Sequence, residues 1–196
     1  MSGADEPKRA ITDRANLPDM FPTHRHTPEF WEHLGRAIAS FGFLEEVLGK
    51  AIFAFTGTRQ YPPDEIDVAY DAWLPKLEKA LTDQLWNLIE VYGKVVREHP
   101  QTTTQNVDEL VKAMKAAAVW RNVLCHASWR TPDENGTSVP FFVNKQKERC
   151  STPVDIDFLM KIQAEAAALA CDVIDTVTHM GWQFPGGAGP GKPIMG

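Results

Sequence analysis

The sequence contains few of the features that mark secreted, membrane-bound or metal-binding proteins. Its 196 residues include only three cysteines, at positions 125, 150 and 171, and their spacing is not that of a metal site. An odd number of isolated cysteines favours free thiols in a reducing compartment. The first ten residues contain no apolar segment of the signal-peptide type, and no stretch approaches the roughly 18 apolar residues that cross a bilayer. We therefore expect a cytoplasmic protein with no membrane partner.

Positive charge is also scarce. The chain has 20 lysine and arginine residues against 26 acidic residues, which gives a net charge of −6. A protein that binds polyanions in general usually carries a basic excess, so this balance argues against that class. A small basic site on an acidic protein is still compatible with nucleic-acid binding.

Several catalytic arrangements are missing from the sequence. There is no glycine-rich phosphate-binding motif, and no glutamate has a histidine three residues later, so P-loop and di-iron bundle enzymes are excluded. Cys125 and His126 are adjacent, and adjacent helical residues point about 100° apart, so they do not form a nucleophile pair. His24 and His26 have no acidic or cysteine neighbours, which is more typical of solvent-exposed histidines than of a metal site. We expect no metal and no cofactor.

What the sequence does contain is a strong helical pattern. Hydrophobic residues make up 43% of the chain, enough for one globular domain with a sizeable core. Over most of its length they recur at three- and four-residue steps, the period of an α-helix. We predict an all-α fold, an up-and-down helical bundle of four main helices with a small β-hairpin excursion after the third. Residues 1–27 form an N-terminal arm, residues 28–181 the bundle, and residues 182–196 a flexible Gly/Pro-rich tail.

Local signals place the helix boundaries. Thr27 and Pro28 predict the start of a long first helix that ends at Gly57. A second helical region begins at Asp64 and ends before Pro100, and Pro75 is predicted to split or kink it. The third helix begins at Asn106. The last one is opened by Thr152-Pro153 or by Asp155 and stops at Gly181. Between them we predict short strands at Ser138–Asn144 and Gln146–Cys150.

The third helix ends in the stretch Ala116–Arg130, where an ionisable group meets an apolar stripe. At 100° per residue, Arg121 lies within about 60° of six apolar residues of its helix, Leu110, Met114, Ala117, Ala118, Leu124 and Cys125. An arginine in that position is costly unless it is paired or binds a ligand. Glu45 and Glu46 interrupt the apolar face of the first helix. They are interpreted either as a solvated edge or as the source of a carboxylate that pairs with Arg121.

Two further sides of this helix have a distinct character. Lys115, Asn122 and His126 form a polar strip at roughly 100–140° from Arg121. Beyond the strip, three more apolar residues, Val119, Trp120 and Val123, make the far side apolar too. A helix that is apolar nearly all round is buried or is covered by another chain. We therefore predict a homodimer with this helix at or next to the interface.

The pattern Arg121-Asn122-x-x-x-His126 resembles the signature of the HEPN superfamily (higher eukaryotes and prokaryotes nucleotide-binding). That signature is an arginine, often followed by a polar residue such as asparagine, with a histidine four to six positions further on. Residues 127–129, Ala-Ser-Trp, are similar to the small-x-Trp segment that often follows it. The resemblance covers residues 28–180 and does not assign a subfamily. It implies an up-and-down bundle that dimerises through this helix.

The resemblance implies a metal-independent endoribonuclease, of a toxin or defence type, with Arg121, Asn122 and His126 as catalytic residues. Such cleavage requires proton transfer at the 2′-hydroxyl and at the leaving 5′-oxygen, for which histidine is suited, and stabilisation of phosphoryl charge, for which arginine is suited. Because one histidine does not easily serve as both acid and base, a two-fold dimer would supply two. The candidate binding residues, which flank this motif in the sequence, are Lys115, Trp129 and Arg130.

Two other interpretations are open at this point. The chain is a non-catalytic HEPN-like interaction or nucleotide/RNA-binding module, or it is an inert bundle in which Arg121 pairs with a buried carboxylate and His126 lies near the negative end of the helix dipole. The expected partners are a second copy of the chain, RNA, and an antitoxin or the product of a neighbouring gene. The sequence does not identify the substrate RNA.

Overall fold

The computed structural model describes residues 11–187, so the outer parts of the predicted arm and tail, residues 1–10 and 188–196, lie outside the described residues. Within that range the chain is all-α, as predicted, but it has five α-helices rather than four. They are α1 (Pro28–Gly57), α2 (Ile66–Thr82), α3 (Leu85–Arg97), α4 (Val107–His126) and α5 (Ile156–Thr178). None of the described helices is long and apolar enough to cross a membrane.

Helix α1 begins where the sequence predicts. The Thr27 hydroxyl accepts a hydrogen bond from the backbone N–H of Phe30, and Pro28 occupies the first helical position. The helix packs mainly on α5, and its buried residues follow the helical period. Helix α5 is capped in the same way, because the Asp155 carboxylate accepts from the N–H of Phe158 at 2.8 Å. These two helices form the central pair of the fold.

The predicted split of the second helical region at Pro75 is wrong. Pro75 lies inside α2, and the chain leaves the helix only at Asp83 and Gln84. Helix α2 is largely exposed, so water can satisfy the carbonyl that the proline leaves without a donor. Asp83 adopts an extended conformation, and its carboxylate accepts from the N–H of Gln84 and from the side-chain amide of Asn87. Those bonds favour a new helix start, which separates α2 from α3.

The hydrophobic core is built by α1, α3, α4 and α5. Among the described side chains of α2, only Ala80 is buried. Tyr92 of α3 is fully buried and donates a hydrogen bond to Thr176 of α5 at 3.0 Å. Trp182 and Phe184 follow α5, and both pack on this core, Trp182 against Phe55. The segment that follows α5 therefore packs on the bundle as far as Phe184.

The predicted β-hairpin between α4 and α5 is also wrong. No strand occurs in residues 11–187, and the connection contains three isolated antiparallel bridges, Ser128 with Phe141, Ser138 with Val154 and Val143 with Arg149. One residue of each bridge lies within residues 138–143, but the three partners come from different parts of the chain, so neighbouring bridges do not add up to a ladder. Pro140 also removes a backbone donor from the middle of the segment. We call residues 127–155 the excursion.

The N-terminal arm is fixed to the excursion by His26. This histidine is buried rather than solvent-exposed as expected, and its Nε2 lies 2.9 Å from the carbonyl oxygen of Arg130 and 3.3 Å from the hydroxyl of Ser138. Its ring stacks on Phe30 at 4.0 Å. The end of the arm thus joins the start of α1 to the segment that follows α4.

Candidate functional site

Arg121 lies in the buried stripe of α4, as the helical count predicts. The five stripe residues that are buried around it are Leu110, Met114, Ala117, Ala118 and Leu124, whereas Cys125 is exposed. Its Nη2 is 3.5 Å from Oε1 of Glu45 on α1, and the two side chains retain 28% and 27% exposure. Glu45 Oε1 makes no hydrogen bond, so the contact is a loose ion pair.

This contact decides between the two interpretations of the glutamates on α1. Glu45 is the partner of Arg121, as the second interpretation requires. Glu46 points elsewhere and pairs with Lys50 at 2.6 Å on the exposed side of the helix. A loose pair of this kind holds the guanidinium in place and leaves part of it accessible to a second anion.

Asn122 and His126 lie on the solvent side of the last turns of α4. Both side chains are exposed, and neither makes a hydrogen bond or an ion pair with the described residues. They are four residues apart, so they project from the same side of the helix, one turn above the other. The carbonyl of Val123 accepts from the N–H of Ala127, so this bond at the end of α4 is made without the His126 side chain. The imidazole is free to act on a ligand.

Arg121 and His126 do not converge within one chain. Five residues along a helix correspond to a rotation of about 140° and a rise of about 7.5 Å. The arginine accordingly faces α1, and the histidine faces solvent. A single chain therefore presents two separated halves of the predicted catalytic set.

The far side of α4 is only partly available to a partner. Val119 is 52% exposed, but Val123 is buried, and Trp120 packs against Phe158 of α5 with a ring separation of 4.7 Å. Val123 is buried within the chain, so it offers no exposed surface for the predicted dimer contact. Lys115 lies on the same side as Val119.

Lys115 already has partners in the chain. Its Nζ is 2.5 Å from Oε1 of Glu90 and 5.5 Å from the ring centre of Trp86, both on α3. Trp86 is 45% exposed. Sequence reasoning named Lys115 but neither of these residues, because only the packing of α3 beside α4 brings them together. Val119, Lys115 and Trp86 form a mixed apolar and basic surface beside Asn122.

The other two candidate binding residues, Trp129 and Arg130, lie on opposite sides of the excursion. Trp129 is half-buried, with its ring 5.0 Å from that of Phe30. Arg130 is exposed, and its guanidinium lies 4.7 Å from the ring centre of Phe141. Phe141 was missed by sequence reasoning. The alternation of residues in an extended segment was the available signal, and it predicts only that Trp129 and Arg130 point apart.

Burial is the main cause of the altered pKa values of two histidines, His26 and His99. Burial lowers the pKa of His26, and the hydrogen bond to the Arg130 carbonyl opposes this effect more weakly. Burial also lowers the pKa of His99, with a further lowering from the nearby Arg59. Both residues are buried against aromatic rings, His26 on Phe30 and His99 on Phe55 and Trp182, so they are not candidates for proton transfer to a ligand.

A scan against protein-family models, a search of curated proteins and a search of solved structures each return no match to this chain.

Proposed function

We propose that the protein is a HEPN-like metal-independent endoribonuclease whose active site is completed by a homodimer. The observation that carries the proposal is the free, exposed pair of Asn122 and His126 on one side of α4, next to an arginine held at the edge of the core. A histidine used only for packing would be buried and hydrogen-bonded, as His26 is.

The dimer supplies what one chain lacks. Two α4 helices facing each other across a two-fold axis bring together two histidines, one for each proton transfer. Val119 and Trp86 are exposed beside this strip and provide apolar area for such a contact. In the proposed dimer, the exposed 28% of the Arg121 side chain binds a phosphate.

Each residue then has a defined role. One His126 accepts the proton of the 2′-hydroxyl as that oxygen attacks the adjacent phosphorus, and the partner's copy of this histidine gives a proton to the departing 5′-oxygen. Asn122 donates a hydrogen bond to a phosphoryl oxygen. Arg121 neutralises charge on the phosphoryl group. The products are a 2′,3′-cyclic phosphate and a free 5′-hydroxyl.

The test is incubation of the purified protein with structured and unstructured RNA in excess EDTA. We expect cleavage with 2′,3′-cyclic phosphate ends, and we expect His126→Ala to lower the rate by roughly 10²–10⁴ without loss of folding. His179→Ala is the matched control, because His179 is also an exposed histidine near a helix end. Cleavage that persists unchanged in both His126→Ala and Arg121→Ala would assign the activity to another site or to a contaminant.

The composite nature of the site has its own experiment. Light scattering at tens of micromolar should give the mass of a dimer, since an interface of ordinary size persists at that concentration. Arg121→Ala and His126→Ala chains are each expected to be inactive. A dimer of one native and one His126→Ala chain should also lose nearly all activity, because it contains one His126 where the two proton transfers require two. A monomer, or a mixed dimer that keeps about half of the native activity, contradicts the shared site.

A second candidate function is a non-catalytic RNA-binding or interaction module. The observation that favours it is the pairing of Arg121 with Glu45, since a structural role explains this contact fully. In that case His126→Ala has no cleavage activity to remove, and RNA binding is measured without any product.

A further inference from the structure

The excursion carries an exposed face that combines aromatic and apolar side chains with arginines. Bridged residues place their side chains on the same side of an antiparallel pair. Phe141 is bridged to Ser128, and Val143 is bridged to Arg149. Arg130 lies two residues after Ser128, and its guanidinium covers part of the Phe141 ring. We call this set, Arg130, Val139, Phe141, Val143 and Arg149, the excursion face.

The excursion face is directed away from the core. Val139, Phe141 and Val143 alternate along the segment and are 41%, 46% and 43% exposed. The residues between them are less exposed, since Pro140 is buried and Phe142 is half-buried. An exposed phenylalanine between two valines is unfavourable in water unless another molecule covers it.

The charge around this face differs from that of the whole protein. Residues 128–150 carry four cationic side chains and three carboxylates, in a chain whose net charge is −6. The cations, which are all exposed, are Arg130, Lys145, Lys147 and Arg149. Two of the carboxylates are engaged locally, Asp133 with the N–H groups of its own turn and Glu148 with Asn144.

The face is also close to the proposed catalytic histidine. The backbone of Ser128 exchanges two hydrogen bonds with that of Phe141, at 3.0 and 2.8 Å. Ser128 is only two residues beyond His126, so the excursion face begins within a few residues of the end of α4. An RNA strand that lies on the excursion face has its neighbouring phosphates within reach of that helix end.

We propose that the excursion face binds single-stranded RNA, with a base stacked on Phe141 and phosphates held by Arg130 and Arg149. This inference rests on the proposed function, because it names the residues that hold the substrate. An aromatic ring stacks on any base, and arginines alongside it neutralise the backbone, which is the combination used for single strands. A duplex has its bases stacked inside and offers nothing to Phe141.

The experiment measures the fluorescence anisotropy of a labelled 12-nucleotide oligouridine with the full-length protein. All variants carry His126→Ala so that the probe stays intact. Phe141→Leu keeps an apolar side chain but removes the ring, and we expect it to weaken binding about five- to hundredfold. Arg149→Gln should weaken binding and reduce the slope of log Kd against log salt by about 0.7 for each lost phosphate contact.

Matched controls separate this surface from general effects. Phe43→Leu removes an exposed phenylalanine on α1, and Lys79→Gln removes an exposed charge on α2; both should bind like the parent. A DNA strand of the corresponding sequence should bind with similar affinity, since neither stacking nor ion pairing reads the 2′-hydroxyl. Equal loss in Phe141→Leu and Phe43→Leu, or preference for a duplex, overturns the proposal.

Other outcomes assign the face to something else or separate it from catalysis. Unchanged RNA binding together with lost self-association in Phe141→Leu shows that the face contacts protein, and the proposal fails. Phe141→Leu and Arg149→Gln are also made in the otherwise native protein. If neither substitution changes the cleavage rate, the excursion face is rejected while the proposed function stands. Binding that depends on Phe141, with no cleavage by the native protein, supports the face and rejects the nuclease.

Discussion

At the scale of the residue, the ion pair between Arg121 and Glu45 connects α4 to α1 and holds the arginine of the proposed site. It joins α4 to α1 at a position where each side chain is a little more than a quarter exposed. Exposed pairs contribute little to stability, whereas removing one partner of a buried pair leaves a charge without compensation. This pair lies between those limits.

We expect Glu45→Gln to lower the free energy of unfolding by about 1–2 kcal/mol, because Arg121 is then left partly buried without a counter-charge. The double variant Glu45→Gln/Arg121→Met should recover most of that loss. Urea denaturation followed by circular dichroism provides the measurement.

Glu46→Gln is the control for that substitution, since Glu46 lies next to Glu45 and pairs with Lys50 on the exposed side of α1. Its effect should be within about 0.5 kcal/mol. Equal effects of the two substitutions would show that the Arg121 contact does not contribute to folding.

The placement of Arg121 could be predicted from the sequence, because α4 is a regular helix and 100° per residue fixes which side chains share a side. The partner could only be narrowed to Glu45 or Glu46, which point about 100° apart; the register between α1 and α4 depends on packing. The surroundings of Trp129 could not be predicted. It lies beyond the last turn of α4, where the helical period no longer applies and the bridge to Phe141 sets the direction.

At the scale of elements, α3 and α4 approach each other closely at Gly93. A Cβ atom at this position would lie 2.7 Å from Cγ2 of Val111 and 3.2–3.3 Å from the guanidinium of Arg97. Valine is short and β-branched, so it cannot swing aside as a long side chain does. The glycine therefore determines how near α4 lies to α3.

We expect Gly93→Ala to destabilise the protein by about 1–3 kcal/mol, because overpacking outweighs the better helix propensity of alanine. Gly35→Ala on α1 is the matched comparison, since its Cβ would meet nothing within 4 Å. That change should stabilise the protein by about 0.5–1 kcal/mol. Thermal melting of the two variants distinguishes these effects, and destabilisation of the same size in both would contradict the close approach.

The sequence predicted both ends of α1, where the Thr27 cap bonds three residues ahead. It narrowed the start of α5 to Thr152-Pro153 or Asp155, and Asp155 is the cap in the structure. The sequence placed the break of the second helical region at Pro75 and not at Asp83. An exposed helix such as α2 keeps a proline more easily than a buried one, because water can satisfy the carbonyl left without a donor. The carboxylate of Asp83, followed by Asn87 one turn later, was the signal that marked the true boundary. The two predicted strands do not form, because a ladder requires partner strands that the local sequence does not show.

At the scale of the whole molecule, two buried histidines link stability to pH. Burial lowers the pKa of both His26 and His99, so the folded state holds them neutral. In the unfolded chain these histidines titrate near pH 6.5, so below that pH the unfolded state binds more protons than the folded state. This contribution to stability is present above about pH 6.5 and is lost as the pH falls toward the lowered pKa values.

We therefore expect the Tm to fall between pH 7 and pH 5. The free energy of unfolding decreases by at most about 1.4 kcal/mol per pH unit for each histidine. His26→Gln/His99→Gln should have a lower Tm at pH 7 and a flatter dependence on pH. His24→Gln is the control, because His24 is exposed on the arm. A dependence that is equally steep in the double variant would assign it to other groups.

Helix α2 differs from the rest of the molecule in how little it buries. Ala80 is its one buried side chain among those described, and its attachment to α1 includes a hydrogen bond from the Trp73 indole to Thr56 at 2.8 Å. Detaching α2 is therefore expected to cost much less than opening the core, and we expect hydrogen exchange to detect a minor population in which this helix is undocked. Residues of α1, α2 and α3 that include Glu45 line a cavity of about 480 Å³, and undocking of α2 would remove one wall of it. The carboxylate that contacts Arg121 would then have a second environment, reached on the timescale of a local unfolding event.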